Sequence, residues 1–167
     1  GALSSYRQVL EIDETFYQSY YQIGVILSKM GDKDAAVASY EKALGINPQF
    51  YKGYFALGLA KKSMGDTDEA ISALESAVDI YPGYDKAYGA MGDIYIDAKN
   101  FIKGKQVLNM AITVNPNYAK GYASLGILST EEKNWEKAIA HLTMATTLDG
   151  RDAMSFFRLA GAYNATG

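Results

Sequence analysis

The 167-residue sequence contains no cysteine, a single histidine and only three prolines. Without cysteine there can be no disulfide, thiolate zinc site or cysteine nucleophile, although the lack does not fix a compartment. The lone His141 excludes a two-histidine metal site and leaves little scope for serine–histidine catalysis. No stretch approaches the roughly 18 consecutive apolar residues of a membrane span, so membrane insertion is not expected. Positive charge is also not in excess. Sixteen Lys and Arg against 19 Asp and Glu leave a net charge of -3, which argues against a nucleic-acid partner. No basic-then-apolar signal opens the chain. Gly1-Ala2-Leu3 lacks an initiator Met, so the chain is expected to be a segment of a longer protein. Hydrophobic residues make up 49% of the sequence, ample for a core at this length.

The dominant positive signal is self-similarity. Ile23-Gly24, Leu57-Gly58, Met91-Gly92 and Leu125-Gly126 recur at one constant interval without an insertion, and Leu159-Ala160 continues the series. Aromatics precede them at Tyr20, Tyr54, Tyr88, Tyr122 and Phe156. Small residues follow at Ala36, Ala70, Gly104 and Ala138, then Tyr40, Leu74, Leu108 and Leu142, then Ala43, Ala77, Ala111 and Ala145. Pro48, Pro82 and Pro116 close three units, and Gly150 stands where a fourth Pro would fall.

Within each unit the apolar spacing is helical, as in Tyr20, Ile23, Gly24 and Leu27 at i, i+3, i+4 and i+7. The second halves follow suit, with Ala36, Tyr40, Ala43 and Leu44 as one example. Gly31-Asp32 and Gly65-Asp66 read as a helix-ending Gly followed by a helix-starting Asp. Asp66 with Glu69 resembles a capping box. Lys99-Asn100 and Lys133-Asn134 occupy the later turns, with Asn tolerant of left-handed geometry and able to cap. Each unit is therefore expected to be helix, tight turn, helix, loop, with small residues at the crossings for close backbone approach.

This combination of residues resembles the tetratricopeptide repeat family, whose unit is about 34 residues long, and the resemblance spans the whole chain. Its implied register gives full repeats at 17–50, 51–84, 85–118 and 119–152. Residues 1–16 match the second helix of a preceding repeat through Ala2, Tyr6, Val9 and Ile12, and residues 153–167 match the first helix of a following one. The implied fold is all-α, a right-handed superhelical solenoid of antiparallel helix pairs in which each unit touches only its neighbours. One departure is the eleventh position of each unit, usually Tyr and here Leu27, Lys61, Tyr95, Ser129 and Tyr163. Lys61 and Ser129 are expected to pack loosely or point outward.

No catalytic constellation is visible, so no enzyme activity and no cofactor are expected. His141 reads as a surface or packing residue, and the Asn164-Ala165-Thr166 sequon is a weak match. The resemblance implies ligand contact at fixed positions of the first helices, lining a concave groove. Tyr21, Val25, Phe55 and Leu59 would then form an apolar floor, with Ile127 and Phe157 as a second patch. The competing reading packs these residues inside the array. Lys52, Lys86 and Lys120 would form a ladder along one edge and Lys62 would join this wall, able to steer an acidic segment or remaining simply solvated. Asp93 and Asp97 form an i,i+4 pair that would meet a partner's cationic side chain or stay solvated. The lysine and asparagine positions of chaperone-binding members are absent, as is the asparagine ladder of members fused to sugar transferases.

The expected function is a non-enzymatic protein–protein interaction scaffold that binds a peptide or helix of a partner protein in its groove. The alternative is a self-assembling structural module, a homo-oligomer formed through the terminal helices or the groove. A third reading, docking for an enzyme elsewhere in a longer chain, has no test within these residues.

Overall fold

The computed structural model describes all 167 residues. The chain is ten α-helices without a strand: α1 (Ala2–Ile12), α2 (Tyr17–Met30), α3 (Lys33–Ile46), α4 (Tyr51–Met64), α5 (Thr67–Ile80), α6 (Asp85–Asp97), α7 (Phe101–Val114), α8 (Ala119–Glu131), α9 (Trp135–Leu148) and α10 (Ala153–Thr166). No helix is long and apolar enough to cross a membrane. The helices fall into two compact units, Gly1–Pro82 with α1 to α5 and Gly83–Gly167 with α6 to α10.

The turns show how sequence becomes a hairpin. At the end of α2, Asp32 donates its backbone N–H to the Leu27 carbonyl and Gly31 to that of Ser28. The same pair of bonds closes α4 at Asp66 and Gly65, α6 at Asn100 and Lys99, and α8 at Asn134 and Lys133. The residue in the left-handed region is Gly31 (φ 85°) and Gly65 (φ 94°), then Lys99 and Lys133 (both φ 56°). In the later turns lysine takes the left-handed place, correcting the expectation that asparagine would. Asn100 and Asn134 serve as caps, accepting from the N–H of Lys103 and Lys137. An L side chain in this conformation costs about 1–2 kcal/mol. Lys133→Gly is therefore expected to raise unfolding stability by about 0.5–1 kcal/mol after the entropy of a freer unfolded chain is deducted. Urea denaturation checks it.

Asp32 caps α3 through Ala35 N–H. Asp66, by contrast, starts α5 without a side-chain cap, so no capping box forms there. Its intended partner Glu69 is drawn instead to Lys61, whose Nζ lies 2.5 Å from Glu69 Oε2. That ion pair also gives Lys61 a defined place, where loose packing or an outward orientation was expected.

In the first unit, Ala36, Val37, Tyr40 and Ala60 form a buried cluster against which Tyr21, Val25, Leu27, Ala56 and Leu57 pack. In the second, one cluster joins Leu108, Leu125 and Leu128 and another joins Ala138, Leu142 and Ala162. The glycine of each first helix makes these packings close. A Cβ on Gly24 would lie 2.6 Å from Tyr40 Cε1, and one on Gly126 would lie 2.6 Å from Leu142 Cγ. The second-helix side chain thus occupies the space a first-helix side chain would need. α1 contributes no buried residue, and Ile12, despite its register, is 89% exposed.

Ser129 departs from expectation most clearly. It is 2% exposed rather than loose or outward-facing. Its hydroxyl donates to the Leu125 carbonyl at 2.8 Å and lies 3.2 Å from His141 Nδ1. With its one proton committed to Leu125, Ser129 Oγ can only accept, which assigns the hydrogen to His141 Nδ1. Burial first, then Lys137 and Lys105, holds the His141 pKa below the ordinary 6.5. As pH falls through 6.5 the unfolded chain takes up a proton that the native side chain refuses, so stability falls with it. Thermal melts at about pH 7.5 and 5.5 should therefore show a larger loss for the parent chain than for His141→Gln.

Candidate functional site

The first helices begin on aromatic residues rather than on capping side chains. Phe16, Phe50, Tyr84 and Tyr118 stand immediately before α2, α4, α6 and α8, and none makes a side-chain cap. These aromatics recur in step with the repeat, a signal in the sequence that the motif comparison did not use. The Phe50 ring folds back onto α2 and the Tyr118 ring onto α6, and what each meets there differs between the two units.

In the first unit the contact is aromatic. The Phe50 ring lies 5.0 Å from that of Tyr17 and 5.1 Å from that of Tyr21, both edge-on. Tyr21 also lies 5.9 Å from Tyr40. The Tyr40 phenol, 3% exposed, is pushed up to about 12 by burial and by Tyr21, against a hydrogen bond from Ser28. Tyr21 and Val25 are thus half-buried against the α2–α3–α4 cluster. Phe55 is half-buried as well, whereas Leu59 is 40% exposed. Lys52 is exposed, its Nζ 5.8 Å from the Tyr51 ring, and Lys62 is half-buried. Gln18, Ser28, Lys29 and Ser63 are exposed as well. The expected floor is therefore uneven, with Tyr21 and Val25 partly spent on packing and Leu59 the apolar side chain most open to solvent.

In the second unit the equivalent contact is polar. The position of Tyr21 is taken by Gly89, where a Cβ would lie 2.8 Å from Tyr118 Cε1. The Tyr118 ring lies over α6 because nothing is there to exclude it. Burial, then the Asp93 and Asp85 carboxylates, pushes its phenol well above the ordinary 10. Asp93 accepts from Ser124 Oγ at 2.7 Å and pairs with Lys120 Nζ at 2.9 Å. Asp85 accepts from Asn115 Nδ2 at 2.5 Å. Asp93 therefore already has its cation within the chain, and Lys120 is committed to it rather than standing in a free lysine ladder. Lys86 and Asp97 are exposed. Ile127 is half-buried on α8, and Phe157 on α10 is 77% exposed. Sequence reasoning weighed Asp93 and Lys120 separately. Their pairing depends on α6 and α8 lying side by side, which no local pattern encodes.

No three His, Asp or Glu side chains come together as a metal-binding group. A cleft between α1, α2 and α3 is lined by Arg7, Leu10, Tyr20, Ile23, Ser39 and Lys42, of which Tyr20 and Ile23 are repeat-register residues.

Two family models described as tetratricopeptide repeat match residues 17–50 and 63–126. No curated protein sequence matches the chain. Among solved structures, that of MamA is similar with a TM-score of 0.80 and 22% identity, over 92% of this chain and 90% of that one. YrrB, described as a TPR protein with an unusual peptide-binding site, is similar with a TM-score of 0.76 and 18% identity, over 96% and 83% of the two chains. A tetratricopeptide repeat protein from Parabacteroides merdae aligns with a TM-score of 0.81 and 18% identity, over 99% of this chain and 66% of that one.

Proposed function

Because this chain belongs to the tetratricopeptide repeat family, a protein-interaction repeat type, we propose that it is a non-enzymatic scaffold whose first helices hold a peptide or helix of a partner protein. The repeat units are taken as 17–50, 51–84, 85–118 and 119–152. The observation that carries the reading is the division of labour on α4. Gly53, Gly58 and Ala60 are buried, while Lys52, Leu59 and Ser63 remain exposed on the same helix. A partner covering Leu59 would bury apolar surface now facing water, at about 25 cal/mol per Å². Tyr21, Val25 and Phe55 would flank it.

The peptide-binding description of YrrB supports this reading by analogy of fold. Leu59→Ser is expected to weaken partner binding about tenfold, in line with loss of a small interface anchor, while leaving stability within about 0.5 kcal/mol. Tyr21→Ala is the poorer probe, since it removes ring contacts to Phe50 and Tyr40 as well. Affinity capture with the parent chain and Leu59→Ser as baits, followed by titration of the captured protein, makes the test. Equal affinities would discard Leu59 as an anchor.

A second reading, self-association, is favoured by α10, where Met154 and Tyr163 are 59% and 54% exposed beside Phe157. Light scattering over a concentration series separates the two readings. A strict monomer throughout would remove the second.

A further inference from the structure

The cleft between α1, α2 and α3 shares no residue with the face that the proposed function uses. Its floor is apolar and partly withdrawn from water, with Ile23 buried and Leu10 and Tyr20 half-buried. Its rim is cationic, since Arg7 of α1 and Lys42 of α3 are both exposed there. No Asp or Glu lines it. Glu11, one turn beyond Arg7, lines a neighbouring cleft instead. Neither cation is neutralised within the chain. Arg7 and Lys42 join no ion pair. Lys42 Nζ stands 5.7 Å from the centre of the Tyr20 ring, a contact that holds the ammonium over the cleft while leaving its charge uncompensated.

The cation pair is not a requirement of the repeat. One unit on, the two positions hold Glu41 and Ser76, then Glu75 and Met110, then Asn109 and Met144. We propose that this cleft is a binding site for a small organic carboxylate with a compact apolar body. The planar fork of Arg7 suits both carboxylate oxygens, Lys42 adds a second charge-assisted donor, and the apolar body covers Leu10 and Ile23. Size narrows the class. The cleft encloses about 250 Å³, less than the roughly 300–1,000 Å³ of sites for drug-sized ligands, so a nucleotide or a long-chain lipid does not fit. Phosphate is disfavoured as well. The lining residues lie within α1, α2 and α3 rather than at their first residues, so no group of free backbone N–H donors faces the cleft.

Titration of phenylpropionate into the isotope-labelled 167-residue chain, followed by amide chemical shifts, tests the site. Perturbations should centre on Leu10, Tyr20, Ile23 and Ser39 and saturate in the millimolar range. Arg7→Gln and Lys42→Met, both exposed changes whose helicity is checked by circular dichroism, should each weaken binding about tenfold. The neutral isostere phenylpropanamide should bind at least about tenfold more weakly than the acid. Leu59→Ser should bind phenylpropionate like the parent, which separates this site from the proposed interaction face. Equal binding of the acid and the amide, or indifference to both cation variants, would overturn the carboxylate as the recognised group. Inorganic phosphate producing the same perturbations with equal affinity would overturn the need for an apolar body. No perturbation of α1 to α3 at about 10 mM acid, or perturbations confined to α4, would remove the site.

Discussion

Leu74→Ala is expected to lower the unfolding free energy by about 2–5 kcal/mol, a large fraction of the total for a chain of this size. Leu74 is 0% exposed on α5, and its side chain fills the space beside Gly58 of α4. Removing it discards transfer free energy and leaves a cavity that Ala70 and Ala77, both fully buried, are too small to refill. Chemical denaturation of the parent and variant gives the difference directly. A loss under about 1 kcal/mol would mean that the hairpin collapses around the void and that the packing is less exact than described.

The reciprocal change, Gly58→Leu, is expected to cost about 1–3 kcal/mol by overpacking the same crossing. Even the first atom of a new side chain is crowded. A Cβ on Gly58 would lie 2.8 Å from Leu74 Cγ and 3.1 Å from the Ala70 carbonyl oxygen. Leu74 can turn away from such an intrusion more readily than the Ala70 backbone. The two sites share one volume, so their effects should not add. Gly58→Ala combined with Leu74→Ala should cost less than the sum of the single changes by at least about 0.5 kcal/mol, because the new methyl group enters the vacated space. Strict additivity in this double-mutant cycle would contradict the contact.

The repeat period made the helices, their order and their turns legible, because Gly24, Ala36, Tyr40 and their counterparts each answer a packing need set within one hairpin. The turns were less fully legible. Lysine at 99 and 133 adopts a conformation that its own preferences disfavour, held there by the two backbone bonds that close each helix. The candidate face was legible as positions but not as environments. Tyr21 lay in the right register, yet whether its ring faces solvent depends on Phe50, which stands beyond α3 at the start of α4. Asp93 and Lys120 were each visible as charges, and their ion pair was not, since it needs α6 and α8 brought together. Ser129 was misread because the void left by its small side chain is answered by His141 on another helix.

The account rests on the first helices, rather than the second, receiving the partner. Amide chemical-shift mapping of the isotope-labelled chain during titration with a captured partner segment tests that most directly. Perturbations should centre on Gln18, Val25, Lys52, Leu59 and Ser63 of α2 and α4. Perturbations confined to α3 and α5, with Leu59 unmoved at saturation, would contradict it.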